Sequence, residues 1–405
     1  MKLLFINSAY PKECYNQINL DSGKRIQVQS DIFQWAVIDG LERNGIDYTL
    51  ACVPALPAWP RYKRLLSLCG EFVVNDRLRG HYLRICTVPI INQFSEKVVL
   101  KKYILNWCIK NQNEDKLVVV CYTQQSERIG AAVELKRKFP NLIVIPIVTD
   151  LIDNAMDFAA NRTFAKRIQV WLEERAERKL FPKVDKFVLL TQQMTECIQE
   201  ASEKYMVMEG IASWGSISPR EPVNKSDDIR SLLYTGTFER FSGLQMLVDA
   251  FLKTKDSCFR LILCGNGVLR QYVEAAASKD NRIIYKGLLS HDEVVKLQQE
   301  STLLINPRRP NGGITKYSFP SKTMEYMASG TPMIGYHLEG VPKEYYAYMF
   351  TPEDLTQEAL TKCINESLSL PLNVLQSKAN EAFRFIAENK NSVEQVRKVL
   401  QFISE

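Results

Sequence analysis

The densest group of residues that could do chemistry lies in the segment 306–332. It predicts a strand, a loop with two adjacent glycines, a helix and a tight turn before the next strand. Lys322 would lie at the helix start, where unpaired backbone N–H groups and the positive end of the helix dipole attract anions. Glu325 follows three positions later, so both side chains can point to the same side. This pattern suits the diphosphate and ribose of a sugar nucleotide, and it also fits an ordinary capped helix with a surface Lys–Glu pair.

The first turn of this helix has its own sequence signals. Ser318 and Ser321 are candidate caps, and Pro320 suits a first helical turn. Two glycine-bearing turns come earlier, at 234–243 and 265–267. Such turns let a backbone approach a phosphate, and both also fit plain strand-to-helix loops.

Two carboxylates, Asp150 and Asp153, follow a predicted strand in the first half of the chain. Carboxylates at a strand end can orient sugar hydroxyls or help to move a proton, and either one could instead cap a turn. The sequence shows no Ser/His/Asp or Cys/His arrangement. The three histidines are far apart and the ten cysteines form no Cys-x-x-Cys pair, which gives no support for a zinc site. Reduced thiols in a cytoplasmic protein are the simplest interpretation.

Strands that alternate with helices of 10–15 residues predict two doubly wound, largely parallel sheets of the α/β class. The predicted strands are 2–8, 47–53, 117–122, 142–148, 186–190, 232–235, 260–264, 283–285, 303–306 and 333–335. The predicted helices are 26–41, 129–139, 163–181, a helix from about 193, 244–253, 268–277, 291–301, 321–329 and the segment 373–404.

A cluster of Pro, Ser, Asn and Asp residues at 213–228 predicts a linker between two domains. The expected domains are 1–215 and 229–372, followed by C-terminal helices in 373–405. The carboxyl ends of the strands in both domains are expected to face a cleft, since ligands bind at such ends in open α/β sheets.

Length and composition exclude several classes of protein. The 405 residues are 46% hydrophobic and 24% charged, which is an ordinary balance for a globular protein of two or three domains. No uncharged apolar run approaches the roughly 20 residues that span a bilayer, and the first apolar stretch is too short for a signal peptide. These features predict a cytoplasmic protein.

The net charge of +6 is concentrated in one segment. Residues 61–102 carry nine basic and three acidic residues, with aromatic and leucine side chains among them. The apolar neighbours are Trp59, Tyr62, Leu65, Leu66, Phe72, Tyr82, Leu83 and Tyr103. This mixture suits an interfacial segment on the inner face of the membrane, and it also suits a solvated basic face over a buried core. The excess is too modest to indicate nucleic-acid binding.

The chain resembles the GT-B glycosyltransferases, most closely the family 4 type of bacterial capsule, exopolysaccharide and O-antigen assembly. The resemblance is strongest at 232–345, where the Gly turn, Gly265-Asn266-Gly267, Lys286-Gly287-Leu288-Leu289, Asn306-Pro307-Arg308 and Ser318-Phe319-Pro320-Ser321-Lys322 occur in the family's order. It is weaker in the first domain, through 176–191 and 209–211.

The resemblance implies retaining transfer of a sugar from a nucleotide-sugar, such as a UDP- or GDP-sugar, to a lipid-linked or oligosaccharide acceptor. Glu325 matches the second family glutamate, which holds the ribose, whereas Tyr317 stands in place of the first. Thr237 and Ser242 stand where the family usually has Arg and Lys for the diphosphate. Arg240 and Lys322 are the nearest substitutes, and Arg308 is a weaker one.

Other roles also come from the resemblance. Thr149-Asp150 stands where a His-Asp pair is frequent, backbone groups near Leu288 and Leu289 would read the base, and the last helix would cross back to the first domain. The leaving phosphate itself would take the acceptor proton, with neither metal nor cofactor. The predicted catalytic residues are Asp150, Lys322 and Glu325. The predicted donor-binding residues are Gly236, Thr237, Arg240, Gly265, Leu288, Leu289, Arg308, Tyr317, Ser318, Ser321, Lys322 and Glu325.

Two alternatives remain open from the sequence. One is another GT-B enzyme, such as a sugar-nucleotide epimerase. The other is a non-catalytic subunit of a polysaccharide-assembly complex, which the missing glutamate and the missing Arg and Lys would allow. The residues do not name the sugar, the base, the acceptor or the linkage.

Overall fold

The computed structural model describes residues 1–23, 26–74, 79–123, 125–151, 164–212 and 228–405. The chain divides into two compact units. The first is Met1–Ser213 together with Ser392–Glu405, and the second is Trp214–Asn391. Asp153 and nearly all of the predicted linker lie outside the described residues.

The first unit is built on a sheet of eight described strands in the order β3-β4-β2-β1-β5-β6-β7-β8, parallel except for the β3–β4 pair. The strands are β1 (Lys2–Asn7), β2 (Tyr48–Cys52), β3 (Gly70–Val73), β4 (Arg79–Tyr82), β5 (Leu117–Tyr122), β6 (Leu142–Val148), β7 (Phe187–Leu189) and β8 (Tyr205–Val207). Every residue of β5 is buried, as expected for a parallel strand that is covered on both faces.

Five helices of the first unit connect these strands. They are α1 (Tyr15–Asp21), α2 (Val28–Arg43), α3 (Ile91–Lys110), α4 (Ser126–Val133) and α5 (Phe164–Leu180). The segment that follows Thr191 folds as a short 3-10 helix, Gln192–Glu196, and not as the predicted α-helix. Helix α3 and the β3–β4 hairpin do not appear among the sequence predictions. The first half of α3 exposes apolar side chains, so its sequence shows no single apolar stripe.

The second unit contains a five-stranded parallel sheet in the order β11-β10-β9-β12-β13. Its strands are β9 (Arg230–Thr237), β10 (Phe259–Asn266), β11 (Ile283–Gly287), β12 (Leu303–Asn306) and β13 (Met333–Gly335). Its helices are α6 (Leu244–Leu252), α7 (Arg270–Lys279), α8 (His291–Glu300), α9 (Gly312–Lys316), α10 (Ser321–Ala328), α11 (Gln357–Ser369) and α12 (Leu372–Asn389). The predicted α/β class with largely parallel sheets is confirmed.

The helix α13 (Ser392–Ser404) belongs to the first unit. Its side chains Val396, Val399, Leu400 and Ile403 are buried in one core with residues of β1, β2 and β5. The helix lies very close to α2, because a Cβ placed on Gly40 would be 2.3 Å from the Ser392 carbonyl oxygen. The residue at this contact therefore has to be glycine. None of the helices in the described part of the chain is long and apolar enough to cross a membrane.

Candidate functional site

Helix α10 is fixed to the end of β9 by one buried tyrosine. The Tyr326 hydroxyl accepts a hydrogen bond from the Thr235 backbone N–H at 3.0 Å and lies 3.2 Å from the Thr235 carbonyl oxygen, to which it can donate. The tyrosine is completely buried. Because both partners are backbone atoms of the strand, the start of α10 has a defined position relative to the carboxyl end of β9.

Lys322, in the first turn of α10, lies across the strand end at Gly236. A Cβ placed on Gly236 would be 2.8 Å from Lys322 Cε, so the lysine stem passes directly over this glycine. The ammonium nitrogen lies 5.7 Å from the centre of the Tyr326 ring. Lys322 is half-buried and forms no ion pair with any carboxylate in the described part of the chain. Its charge is therefore available to an anion.

Glu325 makes its contact away from Lys322. Its Oε1 accepts a hydrogen bond of 2.6 Å from the side-chain amide of Gln298 in α8. No ion pair between described residues joins Lys322 to Glu325. This geometry does not support the surface Lys–Glu pair that the spacing alone left open.

The serine caps predicted for α10 are wrong. Pro320 occupies the N-cap position, and no side chain caps the helix. The Ser318 hydroxyl instead donates to the Ile314 carbonyl oxygen of α9, and Ser321 is the exposed first residue of α10. The proline takes the cap position because its φ of −74° and ψ of 107° fit an extended residue before a helix. The first backbone N–H groups of α10 thus have no side-chain cap.

Arg308, which follows β12, is a half-buried cation whose guanidinium lies near α9. Burial lowers the pKa of its guanidinium, and the contact with Tyr234 partly opposes that shift. Its only described hydrogen bond is a long one, 3.5 Å to the Ile314 carbonyl oxygen, and no described carboxylate pairs with it. A partly buried charge without a counterion is costly unless a ligand supplies one. Arg308 is therefore a stronger diphosphate candidate than its sequence context indicated.

Glycines allow the neighbouring strand ends to approach each other. Gly236 and Gly265 are paired across β9 and β10, and a Cβ on Gly265 would lie 1.8 Å from the Gly236 carbonyl oxygen. Gly243 has a left-handed φ of 79°, and a Cβ on it would lie 1.9 Å from the Pro307 carbonyl oxygen. The turn after β9 is thus packed directly against the backbone that carries Arg308.

The other predicted donor-binding residues lie around the same end of the sheet or at α9. Thr237 is the exposed last residue of β9, and Arg240 is exposed in the segment that follows it. Leu288 is exposed and Leu289 half-buried just after β11. Tyr317 is half-buried at the end of α9, where its backbone N–H donates to the Gly313 carbonyl oxygen at 3.0 Å. Since parallel strands end at one edge of a sheet, β9 to β12 bring most of the set together.

Asp150 belongs to the first unit, where it follows β6. Its Oδ2 lies 3.3 Å from the Thr149 hydroxyl, which donates to it. Within the described residues no group of three or more His, Cys, Asp or Glu side chains could hold a metal ion.

The first unit contains a cavity of about 400 Å³ that the sequence did not reveal. Glu96, Arg128 and Glu177 are among its lining residues. Arg128 is almost completely buried and pairs with Glu96 at 2.7 Å. Burial raises the pKa of Glu177 to about 8, and the nearby Glu173 carboxylate adds to the shift. These side chains come from α3, α4 and α5, and no local motif connects them.

Comparisons with known proteins agree with this architecture. Residues 229–369 match the family model of the group 1 glycosyl transferases. No curated protein matches the chain. A structure from E. coli, described as trehalose-6-phosphate bound with UDP-2-fluoro glucose, is 8% identical and has a TM-score of 0.67. The match covers all of this chain and 99% of that protein.

Two further solved structures superpose over the whole chain. A sucrose-phosphate synthase from Thermosynechococcus elongatus is 14% identical, with a TM-score of 0.65 and 98% of that protein covered. A UDP-forming α,α-trehalose-phosphate synthase from Burkholderia xenovorans is 11% identical, with a TM-score of 0.63 and 98% of that protein covered. At such low identities the likeness concerns the fold. The chain therefore has the GT-B fold, and its residues 229–369 are similar to the group 1 glycosyl transferases.

Proposed function

We propose that the chain is a retaining glycosyltransferase that moves a sugar from a nucleotide-sugar to a glycan acceptor. The observation that carries the proposal is the pair of cations at the strand ends of the second unit. Lys322 lies over the end of β9, and Arg308 follows the neighbouring strand β12. Neither cation has a carboxylate partner among the described residues, and Glu325 is one helical turn from Lys322. Two cations and a carboxylate at this spacing suit a nucleoside diphosphate: phosphates on the cations, ribose hydroxyls on the carboxylate.

In this proposal the chain's own residues act on the leaving diphosphate. Lys322, Arg308 and the uncapped N–H groups of α10 stabilise the negative charge that develops on it as the bond to the sugar breaks. The departing phosphate takes the proton of the acceptor hydroxyl, so no protein nucleophile is needed. The base lies toward the backbone at Leu288 and Leu289. A UDP-sugar is the first donor to test, because UDP is part of the names of two of the similar structures.

The proposal predicts that a UDP-sugar raises the melting temperature of the purified protein and that UDP is released when an acceptor is added. Melting curves with UDP-, GDP- and TDP-sugars identify the base, and a coupled assay for nucleotide release follows turnover. Free sugar without nucleotide is the control. A sugar nucleotide that is epimerised without an acceptor would instead support the alternative enzyme, and binding without any turnover would support the non-catalytic subunit.

We place the acceptor in the cavity of the first unit. Besides its carboxylates, the cavity is lined by the amide side chains of Gln27, Asn92, Gln93 and Gln125. Amides and carboxylates are the side chains that hydrogen-bond sugar hydroxyls. The cavity therefore fits a glycan, and bacterial surface polysaccharide is the context that the sequence resemblance implies.

An exposed apolar patch next to this cavity supports a lipid-linked acceptor. Asn92 and Gln93 line the cavity, while Ile90, Ile91 and Phe94 in the same stretch are 85%, 52% and 71% exposed. Leu65, Leu66 and Trp59 extend the patch, since the Trp59 and Leu65 backbones are hydrogen-bonded to Thr87. An exposed patch of this kind marks a partner or a membrane surface.

The patch differs from the one that the sequence indicates. Tyr62 and Phe72 are buried, so they cannot enter a headgroup layer, and the start of α3 provides the apolar side chains instead. Arg61, Lys63 and Arg84 are exposed around it and form no ion pair with a described carboxylate. We propose that this face of the first unit binds anionic lipid.

Changing Arg61, Lys63 and Arg84 to Glu is expected to weaken binding to anionic vesicles strongly. Each basic residue near such a surface contributes about 1 kcal/mol, so losing three lowers the affinity roughly 100-fold. Co-sedimentation with anionic and neutral vesicles at low and high salt measures the effect. The matched control changes Lys255, Lys279 and Arg384 to Glu in the second unit, where all three are exposed. Equal binding to both kinds of vesicle, or equal loss in both triple variants, would rule out attachment by this face.

A further inference from the structure

Helix α8 buries a glutamine where an apolar side chain would be expected. Gln298 is 1% exposed and is the one fully buried residue of this completely described helix. Val294, Val295 and Leu297 around it are only half-buried. Burying an amide is unfavourable unless its polar atoms are hydrogen-bonded, so Gln298 needs an explanation other than core packing.

Both the side chain and the backbone of Gln298 are held in place. The side-chain nitrogen donates to Glu325 Oε1 at 2.6 Å. The Gln298 carbonyl oxygen, near the end of α8, accepts a hydrogen bond of 2.8 Å from the hydroxyl of Thr331. Thr331 is itself buried, in the turn between α10 and β13. Gln298 is therefore hydrogen-bonded both to Glu325 in α10 and to the turn that follows α10.

We propose that Gln298 is a positioning residue that orients Glu325 for the donor. The amide occupies Oε1, which leaves Oε2 to accept hydrogen bonds from a ligand diol. The inference rests on the proposed function, in which Glu325 binds the ribose.

A purely structural role for Gln298 makes different predictions. If the amide only fills space, Gln298→Leu keeps the volume and the donor affinity. If the amide positions Glu325, the same change leaves the melting temperature unchanged or higher and weakens donor binding. A hydrogen bond to a charged group is strong enough that its loss is expected to raise the donor Kd about tenfold.

Gln298→Glu provides a second readout, the pH dependence of donor binding. Two carboxyls at this distance share one proton at low pH, and that proton forms the hydrogen bond between them. At higher pH the proton is lost and the two charges repel. We expect donor affinity near that of the unchanged protein at low pH and a steep loss as pH rises, a profile that the unchanged protein lacks.

The experiment measures the donor Kd by calorimetry and the melting temperature of each variant, with the nucleotide-sugar that binds best as the probe. The variants are Gln298→Leu, Gln298→Glu, Glu325→Gln and the double variant Gln298→Leu/Glu325→Gln. Gln271→Leu, an exposed glutamine on α7, is the control. If Gln298 acts through Glu325, the double variant binds no more weakly than Glu325→Gln alone. Gln298→Met replaces the leucine variant should that one unfold.

The outcomes distinguish a failure of the proposed donor site from a failure of the positioning role of Gln298. Unchanged donor affinity in Glu325→Gln would overturn the proposed donor site itself. Weakened binding in Glu325→Gln with normal binding and a flat pH profile in both Gln298 variants would overturn the positioning role alone. Additive losses in the double variant would show that Gln298 acts independently of Glu325, and would also overturn it.

Discussion

Deleting Ser392–Glu405 is expected to unfold the first unit under conditions in which the second unit stays folded. The deletion removes Val396, Val399, Leu400 and Ile403 from the core that contains β1, β2 and β5. Each fully buried side chain of this kind contributes about 1.5–3 kcal/mol, so the loss is roughly 6–12 kcal/mol. This is comparable with the whole stability of a domain. Hydrogen exchange of peptides from β5 and β9 reports on the two units separately.

Point variants on the same helix provide a graded control. Leu400→Ala is expected to destabilise the first unit by about 2–5 kcal/mol, whereas Gln401→Ala, at the exposed neighbouring position, should leave it unchanged. Urea unfolding, monitored by hydrogen exchange, measures the stability of the first unit in both variants. Normal protection of β5 in the truncated chain would show that the helix is dispensable for this core.

Lys322→Ala is expected to lower kcat/KM for the nucleotide-sugar by about 100-fold. The change removes a half-buried charge that has no described carboxylate partner and lies beside Gly236, and a charge-assisted hydrogen bond to phosphate is worth about 1.5–3 kcal/mol. If the interaction strengthens as the diphosphate leaves, kcat falls with kcat/KM. Steady-state kinetics of nucleotide release separate the two constants.

The matched control is Lys296→Ala, an exposed lysine on α8 in the same unit. Its kinetics should equal those of the unchanged protein, and both variants should melt normally. Lys322→Arg is expected to recover part of the activity, since it restores a positive charge. Wild-type kinetics for Lys322→Ala would place the diphosphate elsewhere.

The buried strands were the easiest part of the fold to predict. β5, β6, β12 and β13 begin and end at the predicted residues. Each consists mainly of apolar residues and is flanked by polar or turn-forming residues, which is typical of a parallel strand covered on both faces. Helix α3 was missed for the opposite reason, because its first half exposes Ile91 and Phe94 and blurs the helical period.

The residues of the candidate site could be predicted to lie together only where they belong to the same helix. Lys322 and Glu325 are three residues apart, so their shared location follows from helix geometry. The availability of Arg308 depends on the absence of a described counterion, which only tertiary structure reveals. Gln298 contacts Glu325 across 27 positions of sequence, and the acidic lining of the cavity comes from three helices. No local sequence pattern predicts such long-range contacts.

The contact between Gly40 and Ser392 has a consequence for the order in which the chain folds during synthesis. The core of the first unit needs residues 396–403, which are translated after every residue of the second unit. The second unit is continuous in sequence and can complete its core earlier. The usual vectorial order, in which the N-terminal domain closes first, is therefore reversed. Until translation reaches α13, the groove beside α2 exposes the apolar surface that Val396, Val399, Leu400 and Ile403 later cover.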